Sequence, residues 1–152
     1  MAQVIPTAGV TIRPMTEMDI DGIVRIDEKV TGKYRPDVWE KRLAYYIRRD
    51  PDASQIAVVS GQIVGFMMGE VRGGEFGLEE ATGWVEFFGV DPASRGQSIG
   101  RKLIEALFGY FGKRGAQVAR TVVADDQDEI AKFLSATGFN GSRLSILEKR
   151  PL

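Results

Sequence analysis

The stretch from Trp84 to Gly112 limits the possible folds of this chain more than any other. Trp84 to Val90 is rich in aromatic and β-branched residues and reads as a strand, which Pro92 helps to end. A turn carrying Gly96, Ser98 and Gly100 follows, and Ser98 to Gly112 then shows the clearest helical periodicity of the sequence. Ile99, Leu103, Ala106, Leu107, Tyr110 and Phe111 share one face, while Arg101, Lys102, Glu105 and Lys113 lie off it. A helix entered in this way presents its first amides outward, at the positive end of its macrodipole. Small residues at Gly96, Ser98 and Gly100 let an anion approach that backbone, and Arg95 and Arg101 add charge beside it. Read from the residues alone, the segment is either a pyrophosphate cradle or a helix that merely begins with glycines. It is not a P-loop, since no Gly-Lys-Ser/Thr follows, and it is not G-x-G-x-x-G.

The surrounding pattern predicts the order β-α-α-β-β-β-α-β-α-β. Val10–Arg13 is a short strand ended by Pro14, and Thr16 to Asp19 resembles a capping box with Asp in place of Glu. Ile20, Ile23, Val24 and Val30 then follow at helical spacing. A second helix begins near Pro36-Asp37, with Trp39, Leu43, Tyr46 and Ile47 on one face. Gln55–Val59 and Ile63–Val71 are strands joined by a hairpin at Ser60-Gly61-Gln62, and the Gly- and Glu-rich run from Arg72 to Thr82 is a loop. Val118–Ala124 is a strand, Asp128–Thr137 a helix closed by Gly138, and Ser142–Leu147 a last strand. A mixed sheet with helices on both faces is the natural packing for such an order. With 152 residues and no linker-like tract, the expectation is one domain, 1–152.

Composition narrows the chemistry. The chain has no cysteine and no histidine, which removes Cys–His and Ser–His nucleophile pairs and most zinc ligand sets, so no metal is expected. Acid–base work falls to carboxylates, Tyr, Lys or water. A net charge of -1 provides no basic field for nucleic acid or an anionic membrane. The pairs Arg48-Arg49 and Lys113-Arg114 are all that favour a DNA-associated regulator, and solvated helix ends explain them better. Met1 to Val10 lacks the pattern of a secretory signal and no apolar run reaches membrane-spanning length, so the expected location is the cytoplasm.

The run Arg95-Gly96-Gln97-Ser98-Ile99-Gly100, preceded by Val90-Asp91-Pro92, resembles the R/Q-x-x-G-x-G/A cofactor motif of the GCN5-related N-acetyltransferases (GNAT), with Ser98 at the first motif glycine. Gln127 to Phe139 is similar to the family's N-x-x-A-x-x-F-Y-x-x-x-G-F, with Phe133, Gly138 and Phe139 in place. Gln127 stands for Asn there, Ile130 for Ala, and Leu134 for the tyrosine that protonates the leaving thiolate. The resemblance implies an α/β (α+β) fold with a mixed, mostly antiparallel sheet of six or seven strands and about four helices. That sheet would be splayed between the fourth and fifth strands. It implies acetyl-CoA as co-substrate, with the backbone of Phe88, Gly89 and Val90 pairing with pantetheine. Gly96 to Arg101 would hold the pyrophosphate beside Arg95, using Gln97, Ser98, Ile99 and Gly100, and Gln127 would make an amide contact. A bulge in the strand would aim the Phe88 amide at the acetyl carbonyl as an oxyanion donor. A homodimer is compatible with this reading.

The implied reaction moves an acetyl group to a primary amine: a protein or peptide N-terminus, a lysine, or a small molecule. With no cysteine to carry an acyl group, direct attack in a ternary complex is the simplest route. A lysine amine must give up about 4.6 kcal/mol to be neutral at pH 7, an α-amine about 1 kcal/mol. Glu86, four residues before Val90 where several members of the family it resembles place a catalytic carboxylate, is the candidate base. Trp84, Val85, Phe87 and Phe88 around it predict a desolvated setting, of the kind that raises a carboxyl's pKa, although an alternating strand would equally send it to solvent. Tyr34, Tyr45 and Tyr46 are the hydroxyls within reach of a cleft from the first helices, Tyr46 with core spacing, and Trp39 and Tyr34 are candidates to shape the acceptor pocket. A non-catalytic acyl-CoA-binding regulatory module is the alternative, favoured by Ser98, Gln127 and Leu134.

Overall fold

The computed structural model describes residues 9–152. The N-terminal segment read above as lacking a secretory signal lies, up to residue 8, outside them. The chain forms two compact units, one up to Thr121 and one of Val122–Leu152.

The first unit is built on a five-stranded sheet in the order β1 (Val10–Pro14), β2 (Gln55–Val59), β3 (Gln62–Arg72), β4 (Thr82–Val90) and β5 (Val118–Arg120). The first three pairings are antiparallel and β4 pairs β5 in parallel. The β2–β3 hairpin turns on Ser60 (φ 50°) and Gly61 (φ 76°), both left-handed, as a tight two-residue turn matched to strand twist requires. Between β1 and β2 come α1 (Ile20–Thr31) and α2 (Pro36–Arg49), and α3 (Ile99–Lys113) follows β4. The expected capping box is present: Oδ2 of Asp19 accepts the Thr16 amide at 2.7 Å. Asp19 also takes Nη1 and Nη2 of Arg13 at 2.9 and 2.7 Å. Burial opposes its charge, but these donors outweigh that and hold its carboxyl below the usual range.

The strand period distributes the core over two faces. Phe66 and Met68 of β3 join Ile23, Ile26, Trp39, Leu43 and Tyr46 in the cluster under α1 and α2. Alternate positions face α3, whose Ile99, Leu103, Leu107 and Phe111 are buried. The helix sits close to the sheet there: a Cβ on Gly83 would stand 2.1 Å from the Phe111 ring, so only glycine fits.

The second unit holds one regular element among the described residues, α4 (Asp128–Ala136), closed at Gly138 (φ 105°) with the Phe139 amide on the Leu134 carbonyl at 3.1 Å.

The mixed, mostly antiparallel class is the expected one, but among the described residues the strand count is five rather than six or seven. The fifth strand ends at Arg120, not Ala124, and Ser142–Leu147 forms no strand. A strand needs a ladder partner, and Ile146 and Leu147, which suggested one, are 67% and 89% exposed. The parallel ladder joins Thr82, Gly83 and Trp84 to Val118, Ala119 and Arg120 and goes no further, so β4 and β5 part as β4 runs on to Val90. That is the expected splay.

Candidate active site

The β3–β4 register slips by one residue in the middle of β4. Met68 faces Phe87 and Gly69 faces Val85, which leaves Glu86 as an extra residue with nothing opposite it. Regular alternation would put Glu86 and Phe87 on opposite faces of the sheet. The bulge brings both to the α2 side: Phe87 packs edge-on against Trp39 and Tyr46, with centroids 5.8 and 6.1 Å apart, and the Tyr46 hydroxyl feels the Glu86 charge.

Glu86 is not in apolar company, contrary to the expectation from its neighbours in sequence. Its side chain is 27% exposed and Oε1 lies 3.2 Å from Nη1 of Arg72. The same nitrogen lies 2.5 Å from Glu70, a carboxylate only 1% exposed. Both Glu70 oxygens accept the Tyr45 hydroxyl at 2.9 Å, and Nε of Arg49 approaches to 3.4 Å. Nε of Arg72 pairs with Glu75 at 2.8 Å. Burial works against the Arg72 charge, but the three carboxylates outweigh it and raise its pKa. Burial, then the charge of Glu86, push the Tyr46 hydroxyl far above its ordinary value, so it keeps its proton. Tyr46 is therefore both the core residue its spacing predicted and a neighbour of Glu86.

Beyond β4 the chain enters the cradle. Asp91 is buried and anchors it: Oδ1 accepts the Ala93 amide at 3.0 Å and Oδ2 takes Nζ of Lys29 at 3.0 Å. Desolvation opposes ionisation of Asp91, and those two donors overcome it, holding its carboxyl low. Gly96 (φ 85°) and Ser98 (φ 60°, ψ 25°) are left-handed and exposed. The first bond of α3 runs from the Lys102 amide to the Ser98 carbonyl at 3.0 Å, so the amides before it are directed out of the helix end. No acidic residue stands in that first turn, and a Cβ on Gly96 would meet nothing within 4 Å. The loop is thus open and electropositive, which fits a pyrophosphate. Ile99 offers only its backbone, since its side chain is in the core.

A further cation lies on α2. The Arg42 guanidinium sits 4.0 Å over the Phe87 ring and 4.6 Å over Trp39. Burial, then the like charge of Arg35, lower its pKa from the ordinary arginine value.

With this geometry in hand, the comparisons are direct: residues 20–139 match the acetyltransferase (GNAT) family. The chain belongs to that family. An acetyltransferase of Pectobacterium atrosepticum is 32% identical over 122 residues, which cover 78% of this chain and 79% of that protein. An uncharacterized N-acetyltransferase of Methanocaldococcus jannaschii is 26% identical over 136 residues, 85% of this chain but only 60% of the relative's length. Among solved structures, the aminoglycoside N-acetyltransferase AAC(6')-Iy in complex with CoA superposes with a TM-score of 0.80 at 19% identity, over 94% of this chain and 95% of that one. That likeness shows the shared fold. Membership of the family makes acetyl-CoA the co-substrate, and the chain an acetyl-CoA-dependent transferase.

Of the GNAT site residues read from the motifs, Glu86, Phe88, Gly89, Val90, Arg95, Gly96, Gln97, Ser98, Ile99, Gly100 and Arg101 all lie on β4, the following turn and the start of α3. Gln127, at the N-terminus of α4, and Leu134, buried within it, belong to the second unit. Tyr34 is 71% exposed and Tyr45 is committed to Glu70. Sequence reasoning missed Glu70, Arg72 and Arg42. One signal was available for the first: Glu70 is the one charged residue in the otherwise apolar run Ile63–Val71. Among the described residues no helix is long and apolar enough to cross a membrane.

Proposed function

We propose that residues 1–152 act as one N-acetyltransferase domain that passes the acetyl group of acetyl-CoA directly to a primary amine, with Glu86 as base. The observation that carries this is the arrangement of β4. A bulge turns a carboxylate to the α2 side, and the same strand leads within a few residues into an open anion cradle. Bound acetyl-CoA supplies an activated thioester carbonyl.

The chain's own residues would do the rest. Arg95 to Arg101 hold the pyrophosphate through loop amides and flanking charge, and Phe88 to Val90 hold the pantetheine. The Phe88 amide donates to the acyl oxygen as charge grows there. Glu86 takes the proton that the amine sheds as its nitrogen bonds to the acyl carbon and the carbon–sulfur bond breaks. Arg72 keeps that carboxylate oriented. Leu134 has no proton to give, so water protonates the departing thiolate, which leaves readily because a free thiol has a pKa of about 8.5.

The test is release of free CoA from acetyl-CoA across a panel of primary amines: peptide N-termini, lysine derivatives, alkylamines and aminoglycosides. Amine-dependent release with stoichiometric N-acetylation supports the reading. Tight acetyl-CoA binding with no release from any amine would favour the acyl-CoA-binding regulatory module instead.

A further inference from the structure

The charged groups gathered around α2 differ in balance between its two ends. At one end, Glu70, Glu75 and Glu86 face Arg49 and Arg72, three carboxylates against two guanidinium groups. At the other, Asp27 is the carboxylate and Arg35 and Arg42 the cations, one against two. Arg35 already takes both oxygens of Asp27, at 2.8 and 3.0 Å. That leaves Arg42 with no carboxylate in hydrogen-bonding contact among the described residues. Its guanidinium carbon lies over the Phe87 and Trp39 rings, and none of its N–H groups makes a hydrogen bond among the described residues. A partly desolvated guanidinium in this state gains more from an anion than one in water does.

Arg42 and Tyr46 are one helical turn apart on α2, so they are neighbours on its surface. Tyr46 packs on Phe87, which lies under Arg42 and is the residue after Glu86 along β4. The floor between the two charged ends is aromatic: Trp39, Phe87 and Tyr46. All of this lies on the α2 face, whereas α3 packs on the opposite face. Arg42 therefore stands apart from the cradle read for the cofactor's phosphates.

We propose that Arg42 binds an anionic group on the acceptor, so that the preferred substrate is an amine whose other end carries a carboxylate or phosphate across a short apolar spacer. The proposal rests on the acetyl-transfer reading for its site. The amine end meets the acidic cluster at Glu86, the spacer lies over Phe87, and the anion takes the N–H edge of Arg42. Charge matched at both ends orients the amine as well as holding it.

The experiment uses matched amines against the full chain saturated with CoA, so that no turnover occurs, followed by the same amines with acetyl-CoA. Pentylamine, 5-aminopentanoate, 3-aminopropyl phosphate and cadaverine supply a neutral, a carboxylate, a phosphate and a cationic tail. The aminocarboxylate or the aminophosphate, whichever is the source of the anion, should bind at least tenfold tighter than pentylamine. The ratio should fall towards one in Arg42→Gln and partly recover in Arg42→Lys, with acetyl-CoA affinity reporting that both variants are folded. Equal affinities, a preference for cadaverine or aminoglycosides, or an anion preference that survives in Arg42→Gln would overturn it. Discrimination in binding without transfer to any amine would support this subsite while refuting the catalytic reading. Transfer to all four amines alike would do the reverse.

Discussion

The two faces of the sheet offer different materials to a ligand. On the α3 side the site is made of backbone: a turn anchored by Asp91, two left-handed residues and the amides at the start of a helix. On the α2 side it is made of side chains, with Glu86, Glu70, Arg72, Tyr45, Tyr46 and Arg42 drawn from three separate elements. Amides are the same whatever residue bears them, so the proposed backbone site would tolerate changes such as serine at position 98, provided the φ angles survive. A side-chain network has no such freedom, because each member's position depends on a partner far away in the chain.

The comparison is broken most directly at Gly100. Adding a large side chain in Gly100→Gln should abolish measurable acetyl-CoA binding by calorimetry while the melting temperature stays within a few degrees. Unaltered affinity in a folded variant would mean that this end of α3 is not where phosphate sits.

On the other face, Glu86→Gln should lower kcat roughly hundredfold for a lysine-type amine, while the acetyl-CoA Kd is nearly unchanged. The deficit should shrink as assay pH rises, since more of the amine is then neutral without help. A variant with parental rates at every pH would show the carboxylate to be structural.

A smaller effect tests how much stability the α2-side ion pairs contribute. Arg35 holds the Asp27 carboxyl below its ordinary range, with burial opposing. The folded carboxyl thus binds its proton less readily than the unfolded one. This contribution is fully present above the unfolded value of about 4 and is lost as pH falls through the folded one. Arg35→Gln should therefore lower neutral-pH stability and flatten its decline below about pH 4. An acid titration of the urea midpoint checks this. Parallel curves for the two proteins would assign the pair no role.

The smallest expected change is at Ser98. A non-glycine residue at φ 60° costs about 1 kcal/mol, partly offset by the greater freedom of glycine in the unfolded chain. Ser98→Gly should raise stability by a few tenths of a kcal/mol and leave acetyl-CoA affinity equal or tighter. Weaker binding would mean that the serine hydroxyl itself contacts the ligand.

How much of this was legible beforehand follows from the same contrast. The cradle could be read because its parts are contiguous: strand, Pro92, Gly96, Ser98 and an amphipathic helix all fall within one window. The hairpin at Ser60-Gly61 and the box at Thr16–Asp19 were readable for the same reason. Ser142–Leu147 misled, because its composition suits a strand but no partner pairs with it. The environment of Glu86 misled too. Its neighbours in sequence are apolar, yet its neighbours in space are Arg72 and Tyr46, 14 and 40 positions away.

By itself, then, the sequence determined what depends on a few consecutive residues: the class of the fold, the family, and the turn that opens α3. Side-chain period and φ preference act over such spans and need no knowledge of the rest. Only the tertiary structure decided where the register of β4 slips. A bulge depends on how two strands are joined at Met68 and Gly69, not on either strand alone. That slip turned Glu86 and Phe87 to the same side, and with it set which charges an acceptor would meet.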